Sequence, residues 1–147
     1  GTLFDLAVAV EGAASNFEKN HPDLEKRAAF VAGDFFESIP PGADAYILKS
    51  VIHDWDDERS ARILANCRRA MAAGARLLIV EPILPERSEA SSLQATLSQH
   101  DLTMLVALGA QERTEREFKS LLTAAGLQVA RIVSAGPVYS IIECLPV

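Results

Sequence analysis

The sequence predicts an α/β fold built on a doubly wound, mostly parallel sheet, and three features of the chain lead there. Short apolar segments alternate with amphipathic segments of ordinary helix length, as strand-helix-strand units require. The segment 43–49 is nearly all apolar apart from Asp44 and Lys49, the composition of a strand buried on both faces of a parallel sheet. The last two apolar segments, 127–133 and 138–144, follow each other directly and close the sheet as an antiparallel pair.

In order along the chain, residues 2–6 form a short strand running into the acid Asp5. Residues 8–19 carry Val10, Ala13, Ala14 and Phe17 near helical spacing, and Asn20-His21-Pro22-Asp23 breaks that helix. A second strand, 28–32, ends at Gly33-Asp34, and a loop with Pro40, Pro41 and Gly42 leads to the strand at 43–49. From Asp56 to about Ala72 the positions Ile63, Leu64, Cys67 and Met71 make a helical stripe. Asp56, Asp57 and Glu58 suit the positive end of that helix, Arg68 and Arg69 its negative end, and Gly74 its stop.

A fourth strand, 75–81, also runs into an acid, Glu81. A polar loop at 86–92 precedes a helix at 93–108, with Leu97, Asp101, Met104 and Leu105 along or near one face. Thr114 and Glu117 have the spacing of a capping box, and Phe118, Leu121, Leu122 and Ala125 supply the apolar face of the helix behind it. Gly126 ends this helix.

Composition narrows the function classes. A chain of 147 residues is one domain's worth and can bury a core. No apolar run approaches the roughly 18 residues of a membrane span. A formal charge of −6 argues against a nucleic-acid partner, which wants a basic face. The two cysteines, Cys67 and Cys144, are far apart and lack metal-ligand spacing, as in a reduced cytoplasmic protein. The chain opens inside a strand and without methionine, so it is expected to be a piece of a longer protein.

Chemistry-bearing side chains collect at the strand ends. His53 stands where the strand at 43–49 gives way to the next helix, the position at which open α/β sheets gather their sites. By itself such a histidine is equally a satisfied structural residue. With Asp54, Asp56, Asp57 and Glu58 it also invites a metal cluster of the kind found in HD-type phosphohydrolases. Those sites draw further histidines from distant segments, and only His21 and His100 remain, so no metal is expected and residues 56–58 read as a solvated helix N-terminus. Asp5 admits a helix-cap role, Phe35 and Met104 a core role, Glu81 and Glu112 a surface role, and Trp55 packing support for the loop holding His53.

Gly33-Asp34-Phe35-Phe36, Ala45-Tyr46-Ile47-Leu48-Lys49, His53-Asp54-Trp55-Asp56-Asp57-Glu58, Val80-Glu81-Pro82-Ile83-Leu84-Pro85 and Glu112-Arg113-Thr114 occur in an order and spacing shared with one family. Over nearly its whole length the chain resembles the C-terminal catalytic part of the S-adenosylmethionine-dependent O-methyltransferases of plant phenolics and bacterial aromatic natural products. The resemblance implies that residues 1–147 belong to a Rossmann-like class I methyltransferase domain. It implies His53 as general base with Glu81 and Glu112 beside it. Asp5 would hold the cofactor ribose, Leu6 would pack on the adenine, Asp34 and Phe35 would contact the adenine, and Lys49 would lie near the cofactor. Asp54 and Met104 would face a small aromatic or polyketide-type acceptor.

The resemblance also implies that full-length relatives would form homodimers through an N-terminal helical domain. The family pattern also places a strand and a Gly-rich turn upstream of residues 2–6, and no G-x-G-x-x-G occurs among the eight glycines here. A gap with unpaired edges is therefore expected between the first and third strands. Two alternatives stay open: a non-catalytic sheet without a working cofactor site, and a methyltransferase scaffold turned to another reaction.

Overall fold

The computed structural model describes residues 1–86, 106 and 111–147. Strand β1 (Thr2–Asp5) leads into helix α1 (Ala7–Asn20), a 3₁₀ turn (Pro22–Arg27) and strand β2 (Ala29–Ala32). After a loop come β3 (Ala45–Lys49), a short 3₁₀ turn (Ile52–Asp54), α2 (Asp57–Ala70) and β4 (Arg76–Pro82). Helix α3 (Glu115–Ala124) and strands β5 (Leu127–Ser134) and β6 (Tyr139–Pro146) complete the described part. The helix expected at 93–108 and all but the first residue of the polar loop at 86–92 lie outside the described residues, Val106 excepted.

The strands form two sheets, as the expected gap requires. β1 pairs β2 in parallel, whereas β3, β4, β6 and β5 form a four-stranded sheet in that order. β3 and β4 are parallel, and β6 inserts antiparallel between β4 and β5. β3 differs from expectation. It is exposed on alternate residues rather than buried on both faces, with Ile47 66% exposed. Its apolar composition anticipates a second strand neighbour, and among the described residues it has only β4.

The core lies on one face of the larger sheet. Ile63, Leu64 and Cys67 of α2 and Phe118 and Leu122 of α3 pack there on Leu77, Ile79 and Ile142. Register explains what happens next along β4. Leu77 and Ile79 stand opposite Cys144 and Ile142, and the following residue of the same face is Glu81, opposite Ser140. A carboxylate thus occupies the next position of an apolar stripe and is completely buried.

Both sequence-predicted helix starts are built as the residue types demand. The Asp56 side chain accepts the Arg59 amide hydrogen at 2.8 Å, and Thr114 and Glu117 form a full capping box at α3. Gly126 has φ +75°, which terminates α3 at no steric cost.

Two substitutions separate the cap from the core in urea unfolding of this chain. Thr114→Ala is expected to lower stability by about 1 kcal/mol, and Phe118→Ala by about 3 to 5 kcal/mol. Equal effects would contradict the packing described above.

Candidate functional site

The site is assembled around a sharp change of direction after β3. Ser50 adopts φ 53°, a left-handed conformation that costs a residue with a Cβ about 1 kcal/mol or more. Its amide still donates to Val80 O at 3.1 Å, so the chain leaves the sheet one residue beyond the ladder. The 3₁₀ turn Ile52–Asp54 follows, with His53 7% exposed.

Glu81 holds this turn by its backbone. Oε1 accepts the amide hydrogens of Val51 and Ile52, each at 2.9 Å. Oε2 lies 3.2 Å from His53 Nδ1, and Glu112 Oε1 lies at the same 3.2 Å from that nitrogen. On the other side of the ring, Nε2 is 3.3 Å from Asp54 Oδ1, and the Asp54 side chain is 40% exposed. The imidazole therefore has two buried carboxylates at Nδ1, and the partly exposed Asp54 carboxylate at Nε2.

The electrostatics follow from that arrangement. The hydrogen bond with Glu112 raises the His53 pKa above its ordinary value, aided by the charges of Glu81, Glu112 and Asp54 and opposed by burial. Burial pushes Glu81 up, against the downward pull of the imidazole and the two backbone amides. His53, Glu81 and Glu112 also offer one donor atom each within 4.8 Å of one another, a spacing that a small cation accepts.

The structure thus brings His53, Asp54, Glu81 and Glu112 together. Asp5, Leu6, Asp34 and Lys49 stand at the C-terminal ends of β1, β2 and β3. The Asp5 carboxylate accepts the Leu6 amide hydrogen at 2.7 Å, and Leu6 is 55% exposed. Asp34 accepts from the Phe36 amide at 2.7 Å, which shapes the turn after β2. Phe35 is half-buried, meeting the edges of Phe36 and Trp55 at 4.9 and 6.1 Å between ring centroids. Lys49 Nζ lies 5.1 Å from the centre of the Tyr139 ring. Met104 lies outside the described residues.

Residues 56–58 are the exposed start of α2, as the sequence leads one to expect, and Asp57 has partners there as well. Asp57 Oδ1 accepts from the buried Arg113 guanidinium at 2.8 Å and from Gln111 Nε2 at 3.0 Å. Arg113 occurs in the sequence only as part of the Glu112-Arg113-Thr114 motif, with no role assigned, because its partners at Ile52, Trp55, Asp57 and Ser60 lie more than 50 residues away. The one signal available is its place directly after Glu112. Trp55 supports the loop as expected, packed edge-on against Phe36 at 4.8 Å. Cys67 and Cys144 are buried thiols pushed up to about 12, which suits packing and not nucleophilic work.

Comparison with known proteins identifies the family. A family model described as an O-methyltransferase domain matches residues 1–128. The phenazine O-methyltransferase PhzM of Lysobacter antibioticus is 44% identical over 147 residues, covering 100% of this chain and 41% of that protein. The O-demethylpuromycin-O-methyltransferase of Streptomyces alboniger is 40% identical over 149 residues, covering 100% of this chain and 39% of its own length. The structure of NcsB1, an O-methyltransferase from neocarzinostatin biosynthesis solved with S-adenosylmethionine and 2-hydroxy-5-methyl naphthoic acid, superimposes with a TM-score of 0.86. It is 32% identical, with 100% of this chain and 41% of that one covered. The chain spans about two fifths of the length of the relatives it matches. On its matched residues and on its Rossmann-like class I methyltransferase architecture, the chain belongs to the O-methyltransferase domain family.

Proposed function

We propose that the protein transfers a methyl group from S-adenosylmethionine to a hydroxyl of a small aromatic or polyketide-type natural product, with His53 as general base. The observation that carries this reading is the buried imidazole with Nδ1 3.2 Å from both Glu81 and Glu112. A carboxylate at Nδ1 orients the ring and favours accepting a proton at Nε2. A phenol near pKa 10 facing an ordinary imidazole near 6.5 lies about 5 kcal/mol uphill in proton transfer. The raised His53 pKa narrows that gap. Attack of the forming phenolate oxygen on the sulfonium methyl then needs orientation more than further chemistry.

Cofactor contacts fall to Asp5, Leu6, Asp34, Phe35 and Lys49, which gather at strand ends, and Asp54 and Met104 fall to the acceptor. Relatives named for phenazine and demethylpuromycin substrates support the acceptor class. A cytoplasmic homodimer acting on a small molecule, with no nucleic-acid or membrane partner, completes the reading. No helix of the described residues is long and apolar enough to cross a membrane.

A second reading is favoured by one observation. β1 and β3 lie in separate sheets, and Asp5 and Lys49 at their ends are exposed. On that reading this chain is a sheet without a working cofactor site. Calorimetric titration of S-adenosylmethionine into the 147-residue chain decides between them. Micromolar binding that Asp5→Ala abolishes supports the first, and no binding by a chain that is folded by circular dichroism supports the second.

His53→Gln is expected to lower the rate of labelled-methyl transfer to a trial phenol by about 10²- to 10⁴-fold while donor affinity stays unchanged. Retention of the wild-type rate would remove His53 as the base. Because a base works unprotonated, the wild-type rate should rise with pH through a midpoint above 6.5. Glu112→Gln removes the largest upward influence on His53, so that midpoint should move to lower pH. A chelator is expected to leave the rate intact, and abolition restored by added divalent metal would assign the three-residue cluster to a cation instead.

A further inference from the structure

The buried side chain next to Glu112 bears on how the site keeps its shape. Arg113 is 1% exposed. Its Nη1 donates to Ile52 O at 3.0 Å and its Nη2 to Trp55 O at 2.9 Å. Those two carbonyls stand on either side of His53, one before it and one two residues after it. Nη2 also donates to Ser60 Oγ at 3.2 Å, and Nε to Asp57 Oδ1 at 3.0 Å.

The turn bearing His53 is thus held along both polar edges of its main chain. Glu81 accepts its amide hydrogens, and Arg113 donates to its carbonyls. Arg113 is itself anchored, since the Leu84 amide donates to Arg113 O at 2.9 Å just past β4. The distance from Glu112 to the imidazole is therefore set by a chain of main-chain contacts and not by the ion pair alone. A planar guanidinium with five donors can span two carbonyls, a carboxylate and a hydroxyl together, whereas an ammonium with three tetrahedral donors cannot.

We propose that Arg113 is a positioning residue, which fixes the His53 turn so that Nδ1 stays against Glu112 and Glu81 and Nε2 stays beside Asp54. The inference rests on the methyltransferase reading for its catalytic consequence, but its structural content does not. Among the described residues, the charged groups around the turn are Glu81 from β4, Asp54 within the turn, Asp57 and Arg59 from α2, and Glu112 and Arg113 themselves.

The test uses two variants. Arg113→Lys keeps the charge and loses the fork. Asp57→Asn keeps an acceptor oxygen on an exposed side chain and weakens the hold on the guanidinium without entering the core. Each is read by the ¹⁵N shifts of the His53 ring and by kcat and KM separately, per folded molecule. A displaced base costs up to about a hundredfold in rate. Arg113→Lys is therefore expected to lower kcat by about ten- to a hundredfold with KM for the methyl donor within about threefold, and to move the His53 ring shifts. Asp57→Asn is expected to move both in the same direction by less.

Unchanged ring shifts and kcat in folded variants would overturn the proposal, as would a loss of stability with no change in the His53 signature. Should Arg113→Lys fail to fold, Asp57→Asn decides by the same criteria. If the wild-type protein transfers no methyl group, the function proposed above fails, and the ring shifts still test the positioning claim.

Discussion

Two carboxylates and one imidazole share a space that water scarcely enters, and much of the local structure answers that constraint. An isolated charge in such a place costs several kcal/mol unless partners and hydrogen bonds surround it. Glu81 finds two backbone amides and the imidazole. Glu112 finds the same imidazole. The turn that delivers those amides exists because the chain bends out of the sheet at Ser50, against its own conformational preference. Strain at one residue is thereby exchanged for solvation of a buried charge.

The apolar core supplies the rigidity behind this. β4 runs between β3 and β6, with Leu77 and Ile79 fully buried beneath α2 and α3. Glu81 shares their face, and its carboxylate is held by the Val51 and Ile52 amides and the imidazole. α2 contributes its packing face to the core and its first turn to Arg113. α3 begins immediately after the segment bearing Glu112. Each catalytic candidate is therefore within a few residues of an element that the core holds, which keeps side-chain geometry independent of exposed loops.

Much of this was legible in the residues, and the misses share a cause. The capping box of Thr114 and Glu117 involves partners three residues apart, so local spacing reveals it. Strand-end acids such as Glu81 are visible for a similar reason, because an apolar run that stops in a carboxylate is a local pattern. The role of Arg113 depends on carbonyls at 52 and 55, and nothing near residue 113 records them. The exposure of β3 is not legible in the sequence, because composition reports the neighbours a strand is suited to and not those the described chain provides. Phe35 shows a milder form of the problem: its aromatic character fits a stacking surface and a packing wedge equally well, and the structure shows it already engaged with Phe36 and Trp55.

The order of strands has a consequence for how the chain forms during synthesis. β6 lies between β4 and β5 although it follows both in sequence. As the polypeptide leaves the ribosome, β4 must wait with one edge uncovered while more than fifty residues emerge, and β5 is made before the strand that joins it to the sheet. Non-local pairing of this kind is slow and leaves strand edges open to wrong partners. The nascent chain therefore passes through a stage in which the segments bearing His53 and Glu81 are complete but their sheet is not, and that interval is when a chaperone has the most to protect.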